Sequence, residues 1–90
     1  MTAAEAAERL LRALGEVPGL RPAVPFLGGE TAAVEVDPDR VRIRLVAMAL
    51  PLPPLLDQAT SLLRAALAGT AWEQLPLTLL VTDIDGAAFE

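Results

Sequence analysis

The side chains best suited to chemistry lie together near the end of the sequence, in Leu79-Leu80-Val81-Thr82-Asp83-Ile84-Asp85-Gly86. An apolar strand ending in two carboxylates spaced i, i+2 can serve phosphoryl transfer, one attacking phosphorus and the other moving the proton. That chemistry also needs a hydroxyl, a lysine and further acids to hold phosphate and magnesium, and the sequence contains no lysine. The same acids fall short of a calcium loop, which requires oxygen ligands at several fixed positions closing on a distant glutamate. The plain reading of Asp83 to Gly86 is a strand end followed by an Asp/Gly turn in solvent. The one serine, Ser61, has neither histidine nor lysine to activate it. Nothing in the spacing forces two of the other carboxylates into a shared apolar pocket, as an acid–base pair would need. No catalytic, metal-binding or cofactor-binding residue is assigned, and the chain is expected not to be an enzyme.

Composition narrows the remaining classes. With no cysteine and no histidine among 90 residues, disulfides, thiolate and imidazole metal sites and iron–sulfur clusters are excluded. All seven basic residues are arginine, and tyrosine and asparagine are absent as well, a usage typical of a GC-rich bacterial genome. A net charge of −5 and a pI near 4.5 disfavour nucleic acid, whose binding needs a basic surface to displace counterions. Trp72, the single tryptophan, lacks the basic neighbours of a base-stacking platform and reads as a plug beneath a sheet. Hydrophobic residues make up 53% and mean hydropathy is +0.46, high enough to suggest apolar surface covered by a partner. The longest uncharged stretch, between Arg44 and Asp57, is too short for a membrane span and is broken by Pro51, Pro53 and Pro54. Glu5 and Glu8 stand where a signal peptide would be basic, so a cytoplasmic location is expected.

The elements follow from periodicity. Thr2 and Glu5 have the spacing of a capping box. Ala3, Ala6, Ala7, Leu10, Leu11 and Leu14 then share one helical face, with Glu5–Arg9 and Glu8–Arg12 as i, i+4 pairs on the other. Gly15 and Pro18 end that helix. From Pro18 to Glu30 the prolines and glycines predict a loop, with Phe26 and Leu27 tucked against the core. A hairpin follows. Asp37-Pro38-Asp39-Arg40 is its turn, pairing Val36 with Val41, Glu35 with Arg42 and Val34 with Ile43. A second helix starts at Pro53 or Pro54 and carries the stripe Leu55, Leu56, Ala59, Leu62, Leu63, Ala66, Leu67 before Gly69. Leu77 to Ile84 forms the last strand.

The chain is thus expected to be a single α+β domain over residues 1–90, ordered helix–strand–strand–helix–strand. A right-handed crossover makes its outer strands parallel, giving a three-stranded mixed sheet with both helices on one face. The second hairpin strand outruns the first. Past Arg44 its solvent side changes to Val46, Met48 and Leu50, and with Leu80 and Ile84 these fall on the uncovered face, which would be polar if it met water. Ala47 to Leu50 would also present unpaired backbone, an edge prone to pairing with another chain. Val46, Met48 and Leu50 are the candidate self-association residues, and a homo-oligomer is expected.

Two likenesses bear on function. The element order is that of type II KH RNA-binding domains, but their G-x-x-G loop is missing. From about Leu10 to Asp85 the chain resembles the alkaline shock protein family of bacterial envelope-stress proteins. An Ala-rich helix leads into Val17-Pro18-Gly19-Leu20, then come Gly28-Gly29, a Val-x-Val hairpin, a Pro-led helix and a last strand ending Val81-Thr82-Asp83-Ile84. The resemblance implies a non-catalytic, cytoplasmic stress-response assembly protein, often tethered to the membrane through a separate anchor, with no functional residues to carry over. The function expected is protein–protein interaction, by self-association or by docking on a membrane-anchored partner. The alternative is a small-molecule-binding or cofactor-assembly scaffold, with a cleft between the second helix and the Pro18–Glu30 loop as the place for a ligand.

Overall fold

A computed structural model describes residues 1–23 and 33–84. The elements are α1 (Ala3–Leu14), β1 (Leu20–Pro22), β2 (Val34–Val36), β3 (Val41–Ala47), α2 (Leu52–Leu67) and β4 (Leu77–Ile84). The capping box of α1 is formed: the Glu5 N–H donates to Thr2 Oγ1 at 3.1 Å, and Glu5 Oε1 accepts from the Thr2 N–H and hydroxyl. Glu5 is thereby engaged with Thr2 rather than with Arg9. Ala6, Ala7, Leu10 and Leu14 are buried, as the stripe predicts, while Ala3 at the helix tip is exposed. In α2 the first turn holds Pro53 and Pro54 where their missing N–H groups cost nothing, and Ala59, Leu63 and Leu67 are fully buried.

The hairpin register is the expected one: Val34 opposite Ile43, Glu35 opposite Arg42, Val36 opposite Val41. Its turn is closed by the Asp37 N–H donating to the Arg40 carbonyl at 2.9 Å. After the α2 crossover, β4 lies parallel to β3 on its other side, from Leu77 opposite Val41 to Val81 opposite Leu45. Thr82 is then an extra residue, so that Asp83 faces Val46 and Ile84 faces Ala47. This bulge corrects the expectation for Ile84. The bulge breaks the alternation that would group Ile84 with Leu80, and opposite Ala47 Ile84 is still 37% exposed.

The sheet has four strands, not three. Leu20–Pro22, inside the stretch expected as loop, pairs antiparallel with Leu45–Ala47. β1 and β2 lie end to end along one edge of β3, so the sheet is mixed and three strands wide. Pro22 is tolerated because Arg21 and Ala23 carry the backbone groups turned toward β3. The Ala23 N–H donates to the Arg44 carbonyl at 2.9 Å, while the position lacking an N–H faces outward. Phe26, Leu27, Gly28, Gly29, Asp85 and Gly86 lie outside the described residues.

Both helices cover one face, as expected. Val41, Ile43, Leu45 and Ala47 on β3 are completely buried against Leu10, Leu14, Val17, Ala59, Leu63 and Leu67. Trp72 is half-buried against this core. Its loop is held to α2 by Arg64, whose guanidinium donates to the Leu75 carbonyl at 2.7 Å.

Candidate interaction surface

The residues with catalytic potential do not converge. Asp83 is exposed at the end of β4, and its Oδ1 accepts the Ile84 N–H at 2.8 Å, which caps a strand end. Ser61 is exposed on α2, a different element from the β4 end that carries Asp83. Asp37 pairs with Arg40 at 3.7 Å in the turn, and Glu35 is held by two cations: Arg44 Nη2 lies 3.0 Å and Arg42 Nε 3.7 Å away on the open face of the sheet. This trio pins the β2–β3 pairing and has both its guanidiniums directed at a protein carboxylate. Among the described residues no group of three or more acidic side chains is placed to hold a metal ion. No helix among them is long and apolar enough to cross a membrane.

The edge expected to be free is occupied. Ala47 is opposite Leu20, and the Met48 N–H donates to the Gly19 carbonyl at 2.7 Å, so the far half of β3 is paired on both sides. β3 ends at Ala47, before Met48 and Leu50. Of the three candidate residues, Val46 is 7% exposed and offers almost no surface, Met48 is half-buried, and only Leu50, at 46%, is open. The backbone of Ala47 and the Met48 N–H are thus already paired, which corrects the expectation of a free edge there. The physical reason is the general demand that backbone groups beside a core find partners, which here come from a segment twenty-odd residues earlier.

The open edge lies on the opposite side of the sheet. The parallel ladder begins with the Val41 N–H donating to the Pro76 carbonyl at 2.9 Å. Alternation along a strand then directs the backbone of Thr78 and Leu80 toward β3 and that of Leu77, Leu79 and Val81 toward the outside. Among the described residues nothing pairs with those outward N–H and C=O groups. Nor is the edge blunted in the usual way. From Leu77 to Thr82 it has no charge and no proline, and Pro76 before it turns its carbonyl inward. On the helix side Leu77, Leu79 and Val81 are only half-buried, since α2 touches β4 sparingly; on the open side Leu80 is 44% exposed.

Hollows are shallow by comparison. The cleft imagined between α2 and the segment after α1 is filled where it is described. Gly19 packs so closely that a Cβ there would lie 3.0 Å from Ala49 Cβ and 3.2 Å from Leu55 Cδ1. A groove of about 380 Å³ instead runs between α1 and α2, lined by Arg9, Arg12, Glu16, Leu62, Ala65 and Ala66. No protein-family model matches the chain, and no curated protein or solved structure is significantly similar to it. Sequence reasoning passed over the β4 edge although its signal was present, a six-residue uncharged run in the last strand of the crossover, which among the described residues has a neighbour on one side only.

Proposed function

We propose that this chain is a non-catalytic protein–protein interaction module that works by self-association or by docking on a membrane-anchored partner, with the outer edge of β4 as its docking line. The observation that carries this reading is the long, uncharged edge of β4, unpaired among the described residues, where the other edge of the sheet consists of two three-residue strands. Added strands gain main-chain hydrogen bonds from such an edge and specificity from alternate side chains. The likeness to the alkaline shock protein family supports a place in a bacterial stress-response assembly, cytoplasmic and held near the membrane through its partner. The acidic surface is suited to protein partners rather than nucleic acid.

Sedimentation from micromolar to hundreds of micromolar, at low and high salt, tests the reading. Association that strengthens as salt screens the net charge of −5 is the expected result. At the same time amide exchange at Leu77, Leu79 and Val81 should slow with concentration. A monomer at every concentration, with those amides in constant fast exchange, removes self-association from the proposal.

A further inference from the structure

We infer that the partner of the β4 edge is a second copy of this chain, paired antiparallel about a two-fold axis at Leu79. This rests on the reading of that edge as the docking line and adds its occupant and register. A two-fold pairing of one strand with itself must bring outward-facing backbone to outward-facing backbone, so Leu77, Leu79 and Val81 can only meet one another. With the axis at Leu79, Leu79 exchanges both hydrogen bonds with its own mate and Leu77 does so with Val81 of the other copy, about six bonds in all.

Three features favour this register and this occupant. It uses only Leu77 to Val81, the regular part of β4, and stops short of the bulge at Thr82 and the charge at Asp83. Every facing pair is uncharged: Leu79 with Leu79 and Leu77 with Val81 on the helix side, Thr78 with Leu80 on the open side. Two chains of net charge −5 therefore approach along a line that brings no like charges face to face, which matters because like charges opposite one another destabilise a strand pair. The half-buried Leu77, Leu79 and Val81 of both copies would meet under the continuous sheet. The extent is modest. The five paired residues Leu77 to Val81 span roughly 17 Å, which suits a weak, reversible dimer rather than an obligate one.

Cysteine cross-linking decides the register, because the sequence has no cysteine of its own. Thr78→Cys and Leu80→Cys alter exposed side chains only. In the proposed pair, Thr78 of one copy and Leu80 of the other stand at a non-hydrogen-bonded position with Cα atoms about 4.5 Å apart, within disulfide range. Each residue is about 8 Å from its own counterpart, beyond that range. An equimolar mixture of the two variants should therefore oxidise to a mixed disulfide dimer at least tenfold faster than either variant alone. Self-linking of Leu80→Cys faster than the mixture would move the axis to Leu80 and overturn this register. Association by sedimentation without enhanced cross-linking in the mixture would overturn the β4–β4 geometry while leaving an interaction module. Monomers throughout, with no cross-linking, would overturn the second copy as occupant and with it the self-association in the proposed function.

Discussion

On one side of β3 two short strands, β1 and β2, lie end to end; on the other a single eight-residue strand, β4, runs its full length. The closed side is assembled from three-residue pieces with protective chemistry on each: Pro22 on β1, and on β2 Glu35, held by Arg42 and Arg44. Short strands, prolines and charges are how proteins keep an edge from recruiting another chain. β4 has none of these until Asp83. The protected edge and the unprotected edge belong to the same small sheet, so the contrast cannot be ascribed to general composition.

The largest effect should come from opening the closed edge. Gly19 has φ +102, and its carbonyl accepts from the Met48 N–H, so it both turns the chain into β1 and ties β1 to β3. Gly19→Ala places a Cβ in an unfavourable backbone region and 3.0 Å from Ala49 Cβ. A cost of about 2–4 kcal/mol is expected from the two terms together, a sizeable part of the roughly 5–13 kcal/mol available to 90 residues. Urea denaturation measures it. A cost under about 1 kcal/mol would mean that β1 contributes little, and that the two edges differ less than the geometry indicates.

The contrast between the edges is sharpened by placing the same charge on each side. Leu80→Glu, on exposed β4, should weaken self-association at least tenfold, about 1.4 kcal/mol, and change folding stability by no more than about 0.5 kcal/mol. Leu50→Glu adds an equal charge at an equally exposed leucine beyond the closed end of β3, and should leave association within about threefold. Equal losses from both variants, read by sedimentation, would show that net charge rather than the β4 edge governs assembly.

Asp83→Asn should have the smallest effect. The asparagine oxygen can still accept the Ile84 N–H, and the site is exposed, so stability should stay within about 0.5 kcal/mol and association should be nearly unchanged. Magnesium-dependent hydrolysis of a phosphate ester by the purified chain, abolished by Asp83→Asn, would instead make this strand end a catalytic centre and refute the non-catalytic reading.

What could be read from the sequence was whatever neighbouring residues decide among themselves. The Thr2–Glu5 box, the leucine stripes of α1 and α2, and the Asp37–Arg40 turn with its Val34–Ile43 register each depend on spacings within a few positions. Those spacings specify one local geometry and bury one face. Even β4 was placed residue for residue, because an apolar run between Pro76 and the acids has few other readings. The tertiary structure alone decided what depends on distant partners. Leu20-Arg21-Pro22 has no strand signal of its own; it is extended because the far half of β3 holds out backbone groups that must be paired beside the core. That pairing took up the backbone of Ala47 and Met48, where a free edge was expected, and the Thr82 bulge broke the alternation between Leu80 and Ile84. Which edge of a sheet stays open is settled by how many strands arrive on each side of the central one, and pairing across tens of residues leaves no periodic trace in the chain.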